Sequence, residues 1–136
     1  MYRKDFIEAE IQKLAQVLAR ILGLKNDGKI NEAEQLAYHT LDSEFGLSQE
    51  FLEKENIGEF ENWIEEKHFS ADKLNLLAQL LFETVYPFTE TNETMQVLHK
   101  TALILNKLEE QFHQQSFENL HRREMIDKFF SNRQYE

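Results

Sequence analysis

Apolar residues in this chain recur at steps of three and four, and strict apolar–polar alternation is nearly absent. Ile7, Ile11, Leu14, Leu18 and Ile21 advance by four, three, four and three, which puts all five on one stripe of a helix. A half-buried strand needs the opposite pattern, because its side chains change face at every residue. Ala15, Val17 and Leu22 widen the stripe, so this first helix, expected over 5–25, is predicted to pack on two neighbours.

Turn residues divide the rest of the chain into further helices. Asn26-Asp27-Gly28 stops the first. Asn31, with Glu34 three residues on, reads as a capping box for a second, which Gly46-Leu47 ends as a Schellman stop. Residues 48–68 break into short helical pieces. Ser48 reads as a cap there, Asn56 and Glu59 form another capping box, and Ile57, Phe60, Trp63 and Ile64 share one apolar face. Ser70 caps a helix over 71–86 whose leucines cover most of its circumference, which predicts the most buried element; Asp72 suits its N-terminal dipole and Pro87 ends it. A long helix follows over 93–114, with Met95, Leu98, Ala102, Leu105, Leu108 and Phe112 on its apolar side, and then a weaker, charge-rich one over 117–132. The expected fold is all-α, with about six to seven helices in a single helical domain, 1–136. Its parts are a first helical hairpin (1–47), a short-helix insert (48–69), a second hairpin (70–115) and a C-terminal helix (116–136).

Two stretches resemble tetratricopeptide repeats. Gly28-Lys29-Ile30-Asn31-Glu32-Ala33, followed by Ala37, Thr40 and Leu41, is similar to the second half of such a repeat, where small residues let paired helices approach closely. Lys100-Thr101-Ala102-Leu103 looks like the same end of a second unit, with Leu77 to Glu83 as its first helix. Leu41 and Leu103 stand 62 positions apart, so the units are not in ordinary tandem, and the tryptophan-leucine-glycine signature is missing from both. The chain also resembles a bacterial family described only as a domain of unknown function. Met1-Tyr2, Asp5-Phe6-Ile7 and the Leu77–Glu83 helix carry that likeness, which extends through Leu105. The family is similar to tetratricopeptide proteins, and the resemblance implies antiparallel helical hairpins in a degenerate α-α superhelix with no chemistry assigned.

Catalytic signals are sparse. With no cysteine, a disulfide scaffold, thiol catalysis and thiolate zinc or iron–sulfur sites are excluded. No Gly-rich phosphate loop occurs, and no serine has a nucleophile-elbow context. Glu-x-x-His occurs twice, Glu110 to His113 and Glu118 to His121, the spacing with which di-iron bundles place two ligands on one helix face. Eight residues separate the two motifs, a rise of about 12 Å on one helix, too far for a shared ion. His39 and His99 fall at matching steps of their helices and read as half-buried histidines bonded to carbonyls. No cofactor or metal site is expected. The alternative to a non-enzymatic module is a small helical metal protein or enzyme using His and Glu side chains.

Charge is distributed unevenly. Residues 27–66 carry twelve acids against Lys29 and Lys54, which equals the whole net charge of −10. A field of that sign repels nucleic acid and can steer a basic protein partner. Glu53, Glu55, Glu59, Glu61, Glu65 and Glu66 are therefore the expected partner-binding surface. Without an unbroken apolar run for export or a bilayer span, the expected location is the cytoplasm, with no membrane contact. Two imperfect hairpins leave apolar surface to cover, which predicts a homo-oligomer through the first or the last helix.

Overall fold

The computed structural model describes residues 2–134, with side chains from 6 to 132. Among them are seven helices and no strand: α1 (Tyr2–Asn26), α2 (Ile30–Phe45), α3 (Gln49–Lys54), α4 (Ile57–Lys67), α5 (Ala71–Val85), α6 (Asn92–Glu110) and α7 (Phe117–Gln134). The all-α expectation and the helix number hold. No helix of the described residues is long and apolar enough to cross a membrane.

α5 lies at the centre. Ten of its fifteen residues are buried, including Leu74, Leu77, Leu80 and Leu81. α1 runs beside it in the same direction, fixed at one end by Lys73 with Glu10 and at the other by Lys25 with Glu83. α2 returns antiparallel to α1, held in register by Lys13 and Glu44, and its Ala33 and Ala37 are fully buried, the close approach their size permits. α6 packs on the opposite flank of α5, and α3 and α4 pack on α6. α7 lies over the α5–α6 pair, parallel to α5. Asn119 bonds Asn75 near the start of both helices, and Phe129 meets Phe88 beyond the end of α5.

Most punctuation matches expectation. Ser48, Asn56 and Ser70 each accept a hydrogen bond from the amide three residues on. Gly46 takes the left-handed conformation at φ 72° and Leu47 folds back into the core. Its N–H reaches Leu41 O, one residue further than a Schellman turn requires.

Four local expectations are corrected. Asn31 does not cap α2: Gly28, at φ 79°, lets Lys29 N–H return to Leu24 O, and Lys29 O already accepts from Ala33, so the ladder starts two residues earlier. α6 ends at Glu110 rather than near 114, because His113 turns left-handed and Gln114 N–H caps Leu108 O; Phe112 is consequently exposed. Ile57 leaves the face it was expected to share with Phe60 and Ile64 and is 43% exposed, standing in the first turn of α4 beside an open cleft. Ile7 continues the α1 stripe but is 45% exposed rather than part of the core.

Candidate functional site

The six acids singled out from the sequence do not form one surface. Glu53 is half-buried and accepts from Gln49 Nε2 at 3.0 Å and, at 3.4 Å, from the Tyr38 hydroxyl. Burial and then the Glu53 charge push the Tyr38 hydroxyl up to about 12. Glu55 sits at the α3–α4 joint, where its backbone carbonyl accepts from Lys100 Nζ at 2.7 Å. Glu61 and Glu65, four residues apart on α4, face α6 and are both held by Lys107. The hydrogen bond from Lys107 keeps the Glu65 carboxyl below the ordinary carboxylate range. Burial opposes the charge on Lys107, but its two glutamates outweigh it and raise the ammonium above the usual lysine value. Glu59 and Glu66 are exposed on another side of α4 and have no ion-pair partner among the described residues. Three of the six carboxylates, those of Glu53, Glu61 and Glu65, are thus engaged by their own chain.

The histidines are likewise dispersed. His39 and His99 are exposed rather than half-buried against carbonyls, and the His99 ring stacks on Phe130 with centroids 4.5 Å apart. Glu110 and His113 are exposed beyond or at the end of α6, while Glu118 and His121 begin α7. No group of three or more His, Asp or Glu able to hold a metal ion occurs among the described residues.

Two open clefts flank α7. One, of about 590 Å³, lies between the α3–α4 joint and α6, lined by Ile57, His99, Leu103 and three amides, Asn56, Gln96 and Asn106. The other, about 470 Å³, lies between α1, the C-terminal half of α5 and α7. Leu22, Phe82, Tyr86 and Met125 supply its apolar lining, and Lys25, Glu83, Glu118, His121 and Arg122 its ionisable groups. Lys25 is saturated there: its ammonium donates to Glu83 Oε1 at 2.8 Å, Glu83 O at 2.8 Å and Tyr86 O at 2.6 Å. An acid in the middle of an apolar helix needs such a partner, so Glu83 within Leu80-Leu81-Phe82-Glu83 was a legible signal. Its partner, 58 residues away, was not. A scan against protein-family models, a search of curated proteins and a search of solved structures each find no match to this chain.

Uncovered apolar side chains gather at one end of the bundle. The Lys73–Glu10 pair places the start of α1 beside the start of α5, and the Asn119–Asn75 bond places the start of α7 there too. α6 finishes at the same end, where Lys107 and Phe112 border Leu74. Phe6 (76% exposed), Ile7, Phe112, Phe117 (89%) and Leu120 all belong to this end.

Proposed function

We propose that this chain is a non-enzymatic protein–protein interaction module of tetratricopeptide-like type, acting in the bacterial cytoplasm. The single observation supporting this most is the set of large apolar residues left uncovered where α1 and α7 begin and α6 ends. Clustered exposed apolar surface is the usual mark of a surface that another protein covers. Paired helices, α1 with α2 and α5 with α6, supply a rigid base for it. A second copy of the chain or a different protein would bury Phe6 and Phe117. Glu59 and Glu66, not engaged by the chain's own cations, would favour a partner with a basic rim.

Light scattering of the chain from micromolar to hundred-micromolar concentration, with Phe117→Ser alongside, tests this. The reading expects a mass above one chain that the substitution returns to 16.3 kDa, or a co-purifying native protein that the substitution releases. A monomer that retains nothing the variant loses overturns it. No observation favours the metal-protein alternative over the module.

A further inference from the structure

We infer that the cleft between α1, α5 and α7 is a binding site for a small amphiphilic monocarboxylate, its carboxylate on the Arg122 guanidinium and its apolar body against Phe82, Tyr86, Leu22 and Met125. This lies beyond the module reading and does not depend on it, although Glu118 and His121 of the cleft are chain neighbours of Phe117 and Leu120 at the uncovered apolar end.

Arg122 carries the argument. Among the described residues, the other partly buried cations already have their partners: Lys25 has Glu83, Lys73 has Glu10, Lys107 has Glu65, Arg123 has Glu109, and the enclosed Lys100 has the Glu55 carbonyl. Arg122 is half-buried and, among the described residues, has no carboxylate within ion-pair distance. Its single hydrogen bond, from Nη1 to Asn119 Oδ1 at 2.8 Å, uses one of five N–H donors. The guanidinium lies 6.0 Å from the centroid of the Phe82 ring, a contact that does not neutralise it. Burial lowers its pKa, and Glu83 and Glu118 push the other way. A half-buried guanidinium with spare donors can pair a carboxylate bidentately.

Ligand size and charge follow from the same residues. The cleft, about 470 Å³, falls in the range of small-molecule sites. Phe82 and Tyr86 stack at 5.4 Å and form an aromatic wall suited to a flat or chain-like apolar body. Lys25 is closed off by its three acceptors, so it adds no second anion subsite. Glu83 is tied to Lys25, and Glu118 stands exposed at the mouth, four residues before Arg122 on α7. The two acids balance the two cations, so the cleft carries no net positive charge; a monocarboxylate is drawn by the unused donors of Arg122, whereas a polyphosphate would meet repulsion from Glu118.

The test is calorimetric titration of the full chain with 4-phenylbutyrate, and with 4-phenylbutyramide as the uncharged counterpart. Saturable binding of the carboxylate below about 1 mM is expected, with the amide at least about tenfold weaker, the weight of a charge-assisted pair. Arg122→Gln should weaken the carboxylate by about tenfold or more. Glu118→Gln should tighten it about twofold by removing a like charge at the mouth. Leu22→Trp, which fills the apolar half and leaves Arg122 in place, should abolish binding, and circular dichroism melts of each variant show that the fold persists. Equal binding of amide and carboxylate, binding indifferent to both Arg122→Gln and Leu22→Trp, or no saturation by 5 mM overturns the inference. None of these outcomes changes the mass measured by light scattering, so the two readings fail separately.

Discussion

α5 and α7 are helices of similar length, 15 and 18 residues, held by different means. α5 is enclosed by α1, α2 and α6 and buries ten side chains, among them Leu77, Leu80 and Leu81 with no exposure at all. Among its described side chains, α7 buries only Ile126 fully. Its further attachment is a relay of rings, Tyr86–Phe82–Phe88–Phe129–Phe130–His99, with successive centroids 4.5–5.9 Å apart, two amide contacts, Asn119 to Asn75 and Arg123 to Asn106, the Arg123–Glu109 ion pair and Arg122 over Phe82. Burial of aliphatic area makes α5 part of the global fold. Edge contacts give α7 a local stability of its own, the kind of element that opens before the remainder unfolds.

That contrast can be broken by measurement. Leu81→Ala should cost about 4 kcal/mol of global stability in denaturant melts, from lost transfer energy and the cavity left behind. Lys25→Ala, which strands the Glu83 carboxylate between α1 and α5, should cost about 3 kcal/mol. Replacing both Lys25 and Glu83 by methionine should recover most of that, since two well-packed apolar residues need no ionic partner. Ile126→Ala should cost about 2 kcal/mol, and hydrogen exchange should place that loss in the amides of α7 while those of α5 keep their protection. If Ile126→Ala instead lowers protection equally in both helices, α7 belongs to the same cooperative unit and the contrast fails.

The smallest effect concerns pH. Tyr38, with its hydroxyl raised to about 12, keeps its proton in the folded chain where the unfolded chain releases it near the ordinary tyrosine value of about 10. Its contribution is therefore fully present below about pH 10 and is lost as pH rises through about 12. Phenolate absorbance should show a late-titrating tyrosine, missing in Tyr38→Phe, and that variant should lose less stability between pH 10 and 12.

What the sequence revealed depended on how local its cause was. The period of three and four, the serine and asparagine caps and Pro87 act within a turn or two, and they located the helices and singled out α5 as the buried one. α7 read as weak because its apolar residues are few, and it is indeed the lightly held helix. Long-range partnering was illegible. Glu61 and Glu65 looked like a solvent-facing acidic run, but Lys107, 42 residues beyond Glu65, takes both. Lys100 looked like the end of a repeat, yet it is buried and ties the α3–α4 joint by one carbonyl. The end of α6 was misplaced because a histidine, not a glycine, makes the left-handed turn at residue 113. The Arg122 cleft escaped notice for a related reason: its lining comes from three helices far apart in sequence, α1, α5 and α7.

The rings that pack on one another among the described residues fall into two separate groups. The sole tryptophan, Trp63, packs with Phe60 and Phe69, and Phe69 with Phe45, joining α4 to the α2–α5 side. None of its ring neighbours lies on α7. Intrinsic tryptophan emission will therefore report loss of the core while staying blind to departure of the last helix, whose release has to be followed through a probe such as a fluorophore placed near Phe130.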